Sequence, residues 1–235
     1  MTGSIGPMPT ITELWDRPDA AVVLGSALVA LVLVLSRGIW RVSRNVVTIA
    51  HEGGHALFAL LSGRRLAGIT LHSDTSGVTV SRGRPTGFGM VLTGFAGYVA
   101  PSLLGLGGAA LVAVDQIRPM LWGSTALLIA MLVMIRNVFG VISVVVTGAI
   151  VFAVSWFATV DVQNAFGYLF CWFLLFGGVR PVWELQRKRV RGRAPSSDAD
   201  QLARLTGVPG TLWVLVFGAI ALACLYFGGL LLLAV

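Results

Sequence analysis

The chain has 235 residues, of which 56% are hydrophobic and only 11% charged, and its mean hydropathy is +0.87. Soluble domains carry about 25% charged residues, so the composition excludes a water-soluble globule and points to one polytopic helical membrane domain over residues 1–235. The net charge of +7 does not argue for nucleic acid, because the basic residues stand between apolar runs, at Arg37, Arg41 and Arg44, at Arg64, Arg65, Arg82 and Arg84, and from Arg180 to Arg193. That placement suits the surface of an anionic bilayer.

In chain order, residues 1–19 read as a tail containing Pro and Gly. The tail has Glu13, Asp16 and Asp19 but no basic stretch ahead of an apolar core, so it does not read as a signal peptide. Ala20 to Ser36 is expected to be a retained membrane helix. Gly38 to Ser62 is a second helix, stopped by Gly63 and two arginines. Residues 66–84 change period. Ile69 to His72 and Val78 to Ser81 alternate apolar with polar around a turn-rich Ser73 to Gly77, the pattern of a β-hairpin. A hairpin with open edges cannot face lipid, so it must pack on protein or lie at the interface.

Phe88 to Val114 is apolar and rich in glycine, which lets helices approach closely in lipid; Pro101 is a candidate kink. Met120 to Ile135 and Val138 to Ala158 are two helices with a tight turn at Arg136-Asn137, or one broken element. Ala165 to Val179 is a further span. Residues 180–197 read as a basic cytoplasmic loop. Ser196 to Asp200 then caps a short amphipathic helix over Gln201 to Thr206. Leu212 to Val235 closes the chain. The fold class is therefore all-α polytopic membrane protein, with about six or seven transmembrane helices by length and a small hairpin after the second helix. With the 180–197 loop in the cytoplasm and seven spans, the hairpin and N-terminus are cytoplasmic too, which puts Arg37 to Arg44 on the wrong side. Cys171 and Cys224 form no CxxC pair and read as buried small hydrophobes.

The chemistry concentrates in His51-Glu52-Gly53-Gly54-His55, inside the second helix. Two of the three histidines and one of the ten carboxylates fall in these five residues. Ionisable groups at membrane depth are costly and mark function by default. Residues four apart share one helix face, so His51 and His55 can offer two imidazoles to one metal ion, with Glu52 as general base: the HExxH arrangement. Gly53 and Gly54 serve close helix packing or make room for a substrate backbone. Catalytic zinc usually has three protein ligands. His72, Asp74, Asp115, Asp161, Asp198 and Asp200 are the candidates, and no local spacing decides among them.

The chain resembles the site-2-protease-type intramembrane zinc metalloproteases, in a compact bacterial branch. The resemblance rests on the HExxH helix with Gly54 before the second His, Leu61-Ser62-Gly63, the hairpin's Gly77-Val78-Thr79, Ala96-Gly97-Tyr98, and Ser197-Asp198-Ala199 ahead of Leu202-Ala203 and Trp213. Typical members supply the third ligand from an Asp-Gly pair after an Asn-x-x-Pro. Here Asn137-Val138-Phe139-Gly140 lacks the Pro, and the expected Asp position falls near Val145, before Thr147-Gly148. The resemblance implies Asp198 as third ligand, with Asp200 the alternative. It implies Zn2+ as cofactor, Glu52 as catalytic base and Asn137 as a substrate-backbone or oxyanion contact. It also implies a multi-pass protein of the bacterial cell membrane that cleaves membrane-anchored protein substrates. Arg136 reads as a lipid-surface anchor. The alternative is a zinc-binding, proteolytically inactive membrane chaperone or adaptor of the same fold, which the missing Asp-Gly pair favours and Glu52 disfavours. An ion transporter is the third reading, and no pair of broken repeat helices supports it.

Overall fold

A computed structural model describes residues 20–192 and 197–234. The expected tail, Arg193 and Ser196 lie outside them. Eight helices and one two-stranded sheet make up the described residues: α1 (Ala20–Leu35), α2 (Arg37–Leu61), β1 (Arg65–Leu71), β2 (Gly77–Arg82), α3 (Phe88–Ala113), α4 (Ile117–Met134), α5 (Val138–Phe157), α6 (Val160–Val190), α7 (Asp198–Thr206) and α8 (Gly210–Leu233). The protein is an all-α polytopic membrane protein with a small hairpin. Five helices, α3, α4, α5, α6 and α8, are long and apolar enough to cross a bilayer; α1 and α2, bent by 102° at Ser36, make a sixth span if taken as one. By length and composition the described residues offer five to six spans, against the six or seven expected, because neither α1 nor α2 alone is both long and apolar enough to count. Met120 to Ala158 resolves into two helices, α4 and α5, broken at Ile135 to Asn137.

The glycine-rich α3 is the central helix, packed on α2, α6, α7 and α8. It approaches α2 closely where Gly54 faces Ala96 and Ala100: a Cβ on Gly54 would lie 2.5 Å from Ala100 Cβ and 2.8 Å from the Ala96 carbonyl. Only glycine permits that spacing. Gly53, by contrast, meets nothing nearer than Met131 Sδ at 4.0 Å. α3 continues through Pro101 without ending.

Residues 180–190 correct the expectation of a basic loop. They complete α6, a 31-residue helix. The apolar positions Val182 and Leu185 are buried against α3, α7 and α8, and Arg180 pairs with Glu184 one turn on, Nε to Oε1 2.9 Å. The charged residues thus extend a packed helix. Glu184 also accepts from Trp40 Nε1 at 3.1 Å and pairs with Arg44 at 3.1 Å. Arg180 donates to the Val34 carbonyl and lies 4.7 Å over the Trp40 ring. A carbonyl in the last turn of α1, which has no partner within its own helix, is satisfied this way at the α1–α2 bend. Arg44 and Arg180 meet on one carboxylate, so these members of the two basic stretches lie side by side.

The hairpin pairs β1 with β2 antiparallel, with Leu71 opposite Gly77, Ile69 opposite Thr79 and Arg65 opposite Arg82, and a bulge between Leu66 and Gly68. Its alternation is inverted relative to a soluble protein. On β2 the small and polar Gly77, Thr79 and Ser81 face protein, while Val78 and Val80 are 48% and 50% exposed. The outer edge of β1 is closed by the α4–α5 break. Arg136 N donates to Ile69 O at 2.9 Å, and Asn137 bonds Leu71 in both directions, Nδ2 to Leu71 O 2.6 Å and Leu71 N to Oδ1 3.1 Å. The hairpin therefore sits against protein, as lipid requires.

Candidate metal centre

His51 and His55 sit one turn apart on α2, on the face turned to α3. Gly97 of α3 makes the room: a Cβ there would lie 2.8 Å from His51 Cε1 and closer still to His55 Nε2 and Cε1. His55 is buried, and its Nδ1 is 2.7 Å from the Thr93 carbonyl. A carbonyl only accepts, so Nδ1 carries the proton and Nε2 presents its lone pair to the cavity. The Thr93 hydroxyl is in turn fixed to the Gly89 carbonyl at 2.7 Å. The His51 ring stands edge-on to Tyr98, centroids 4.8 Å apart, and Tyr98 stacks on Phe217 of α8.

The structure brings Asp198 to this pair. It is the first residue of α7, whose Ala199 and Leu202 are fully buried among Val99, Val182, Leu185, Val214 and Phe217. Asp198 Oδ2 lies 3.2 Å from His51 Nε2 and 3.3 Å from His55 Nε2, and the two nitrogens are 3.1 Å apart. Burial alone would push the Asp198 carboxyl up; the adjacent imidazoles outweigh this and hold it below the usual carboxylate range. Two imidazole nitrogens and an anionic oxygen converging this closely could hold a metal ion between them.

The spacing fits zinc. A tetrahedron with bonds of about 2.0–2.1 Å has edges of about 3.3 Å, and the three observed edges are 3.1, 3.2 and 3.3 Å. Among the described residues this is the one cluster of three such groups that could hold a metal ion, and three donors leave a fourth tetrahedral position free.

Glu52 is buried, 2% exposed, and about 100° round the helix from His51. Its carboxylate meets the hairpin. Thr79 Oγ1 donates to Oε2 at 2.7 Å and lies 3.2 Å from the Glu52 carbonyl. Gly77 lies so close that an added Cβ would be 2.5 Å from Oε1 and Cγ. β2 is therefore a wall of the site, and Thr79 and Gly77 are site residues that sequence reasoning placed in the hairpin without giving them a role. Their signals were Gly77-Val78-Thr79 among the motifs of the resemblance, and a small and a polar residue on the more buried face of a strand.

The other candidates stand elsewhere. Asp200 is bonded to Arg189 and to Ser197 Oγ, the latter at 2.6 Å, and serves the cap of α7. Asp74 accepts from Ser76 at the exposed hairpin turn, where His72 also bonds Ser76. Asp115 takes a left-handed conformation at the end of α3, φ 57°, and Asp161 lies in the first turn of α6. The Asn137 amide, expected at substrate, is occupied at both ends by Leu71. Cys171 and Cys224 are buried free thiols.

No curated protein and no solved structure matches the chain. The family description Peptidase M50B-like matches residues 24–228, a range that includes α2, the hairpin and Asp198. M50 peptidases are zinc-dependent in general. With its HExxH helix buried among apolar spans and the match running over most of its length, the chain belongs to the peptidase M50B-like family of membrane metalloproteases.

Proposed function

We propose that the protein hydrolyses peptide bonds of membrane-anchored proteins, with one zinc ion held by His51, His55 and Asp198. The observation that carries this reading is the convergence of three donor atoms within 3.3 Å beside a buried glutamate. When bound, the ion supplies Lewis-acid polarisation of the scissile carbonyl and a water made acidic enough to attack at neutral pH. The chain's own residues do the rest. Glu52 takes a proton from the attacking water and returns it to the amide nitrogen as the bond to it breaks. Thr79 occupies Oε2, which leaves Oε1 for the proton. Thr93 keeps the His55 tautomer correct.

A helical substrate hides its peptide bonds in its own hydrogen bonds, so local unwinding must come first. An unwound segment can add to a sheet edge. The β1 edge is closed by Arg136 and Asn137, whereas β2 makes no backbone hydrogen bond other than to β1 among the described residues. A peptide laid on β2 runs along the strand that holds Glu52. In this reading Asn137 serves substrate indirectly, by closing the wrong edge.

The test is cleavage of a reconstituted single-span substrate by the full chain in lipid, beside Glu52→Gln. The proposal expects cleavage by the native chain and a loss of about 10²–10⁴-fold in the variant, with zinc content unchanged. Equal cleavage by both would remove Glu52 from the reaction. No cleavage of any single-span substrate, with zinc bound, would favour the chaperone or adaptor.

A further inference from the structure

His51 and His55 are held by a long helix packed on α3, whereas Asp198 arrives on a nine-residue helix outside the apolar spans. A helix of nine residues is not stable alone, so its orientation must be imposed from outside. Ala199 and Leu202 seat its apolar side. The opposite constraint is polar. Arg189, in the last turn of α6, donates to Asp200 Oδ1. Its guanidinium is backed by the first residue of α8, where a Cβ on Gly210 would lie 2.5 Å from Nη2 and 2.8 Å from Nη1. Ser197 Oγ donates to the other Asp200 oxygen at 2.6 Å.

Asp198 and Asp200 are two positions apart, about 200° round the helix, so one carboxylate reaches the histidines while the other is pinned to α6. We propose that Arg189 is a positioning residue for the metal: through Asp200 it fixes the rotation of α7 and so holds Asp198 in register with His51 and His55. This rests on the zinc reading above. The lever is sensitive. A carboxylate about 5–6 Å from the helix axis moves about 1 Å for a rotation of about 10°, and ligand distances tolerate about 0.2 Å. The ends of α6, α7 and α8 thus meet at one guanidinium, and the third ligand is only as firm as that junction.

The experiment measures zinc affinity of the full chain in detergent by chelator competition, for the native protein, Arg189→Ala, Asp200→Asn, the double variant and Gly210→Ala. Gly210→Ala removes neither charge but pushes the guanidinium off its seat. Expected is a loss of about 10- to 100-fold in affinity for each single change. The double variant should be no worse than the poorer single, because all act through one contact. Thermal melting of the zinc-free forms should stay close to native. Native-like affinity in Arg189→Ala and Asp200→Asn overturns the proposal, as do additive losses in the double variant. Collapse of the zinc-free fold in all the variants overturns it too, because the junction would then hold the fold instead of the ligand. A native chain that takes up no zinc would instead overturn the metal reading on which this rests.

Discussion

Gly97→Ala is the smallest change that tests how the histidine pair is accommodated. The added methyl lies 2.8 Å from His51 Cε1 and nearer to two atoms of the His55 ring, against ordinary carbon contacts of about 3.5–4.0 Å. One or both imidazoles must therefore retreat by about 1 Å. The backbone has little freedom to absorb this, because Gly54 and Ala100 already bring α2 and α3 into contact one turn away. A metal site tolerates displacements of about 0.2 Å, so the expected cost is loss of the third or second donor and a fall of at least about 100-fold in zinc affinity. Helix content should rise or stay level, since Ala is the better helix former by about 1 kcal/mol. The assay is zinc stoichiometry after dialysis against a weak chelator, alongside circular dichroism in the same detergent. Stoichiometric zinc at native affinity in Gly97→Ala would refute the packing argument.

Thr79→Val should lower turnover by about 10- to 100-fold, the worth of one hydrogen bond to a charged group at about 1.5–3 kcal/mol. Thr79→Ser should restore most of it and zinc content should not move; peptide cleavage rates at saturating substrate read this out. Asn137→Ala leaves the Leu71 N–H and C=O without their partners on the β1 edge, at a cost of about 1–3 kcal/mol. The expected result is faster hydrogen exchange across residues 65–82, with α6 and α8 unchanged. Exchange as slow as native at Leu71 would show that the α4–α5 break does not hold the hairpin.

Much of the frame was legible because hydropathy and lipid impose it. The apolar runs mark the helices, and the switch from period 3.6 to period 2 at residue 66 marks the hairpin. The HExxH spacing puts two histidines on one face whatever the tertiary fold. What could not be read depends on distant contacts. Charge density made residues 180–190 look like a loop, yet Val182 and Leu185 were on a buried face, and their partners lie in α7 and α8. The bend at Ser36, where Arg180, 146 residues away, satisfies the Val34 carbonyl, leaves no mark in the hydropathy. No spacing rule links Asp198 to His51, since the carboxylate arrives by packing of Ala199 and Leu202. Only the resemblance separated Asp198 from Asp200. Asn137 drew notice as a polar residue at a helix break, but which backbone it bonds is a tertiary fact.

The central claim is that His51, His55 and Asp198 form one zinc site. X-ray absorption spectroscopy at the zinc edge, on the purified full chain, tests it most directly. The account predicts one zinc per chain with two imidazole shells and light N/O ligands at about 2.0–2.1 Å, and a changed first shell with weakened retention in Asp198→Ala. An unchanged spectrum and stoichiometry in Asp198→Ala, or a sulfur shell at about 2.3 Å, would contradict it.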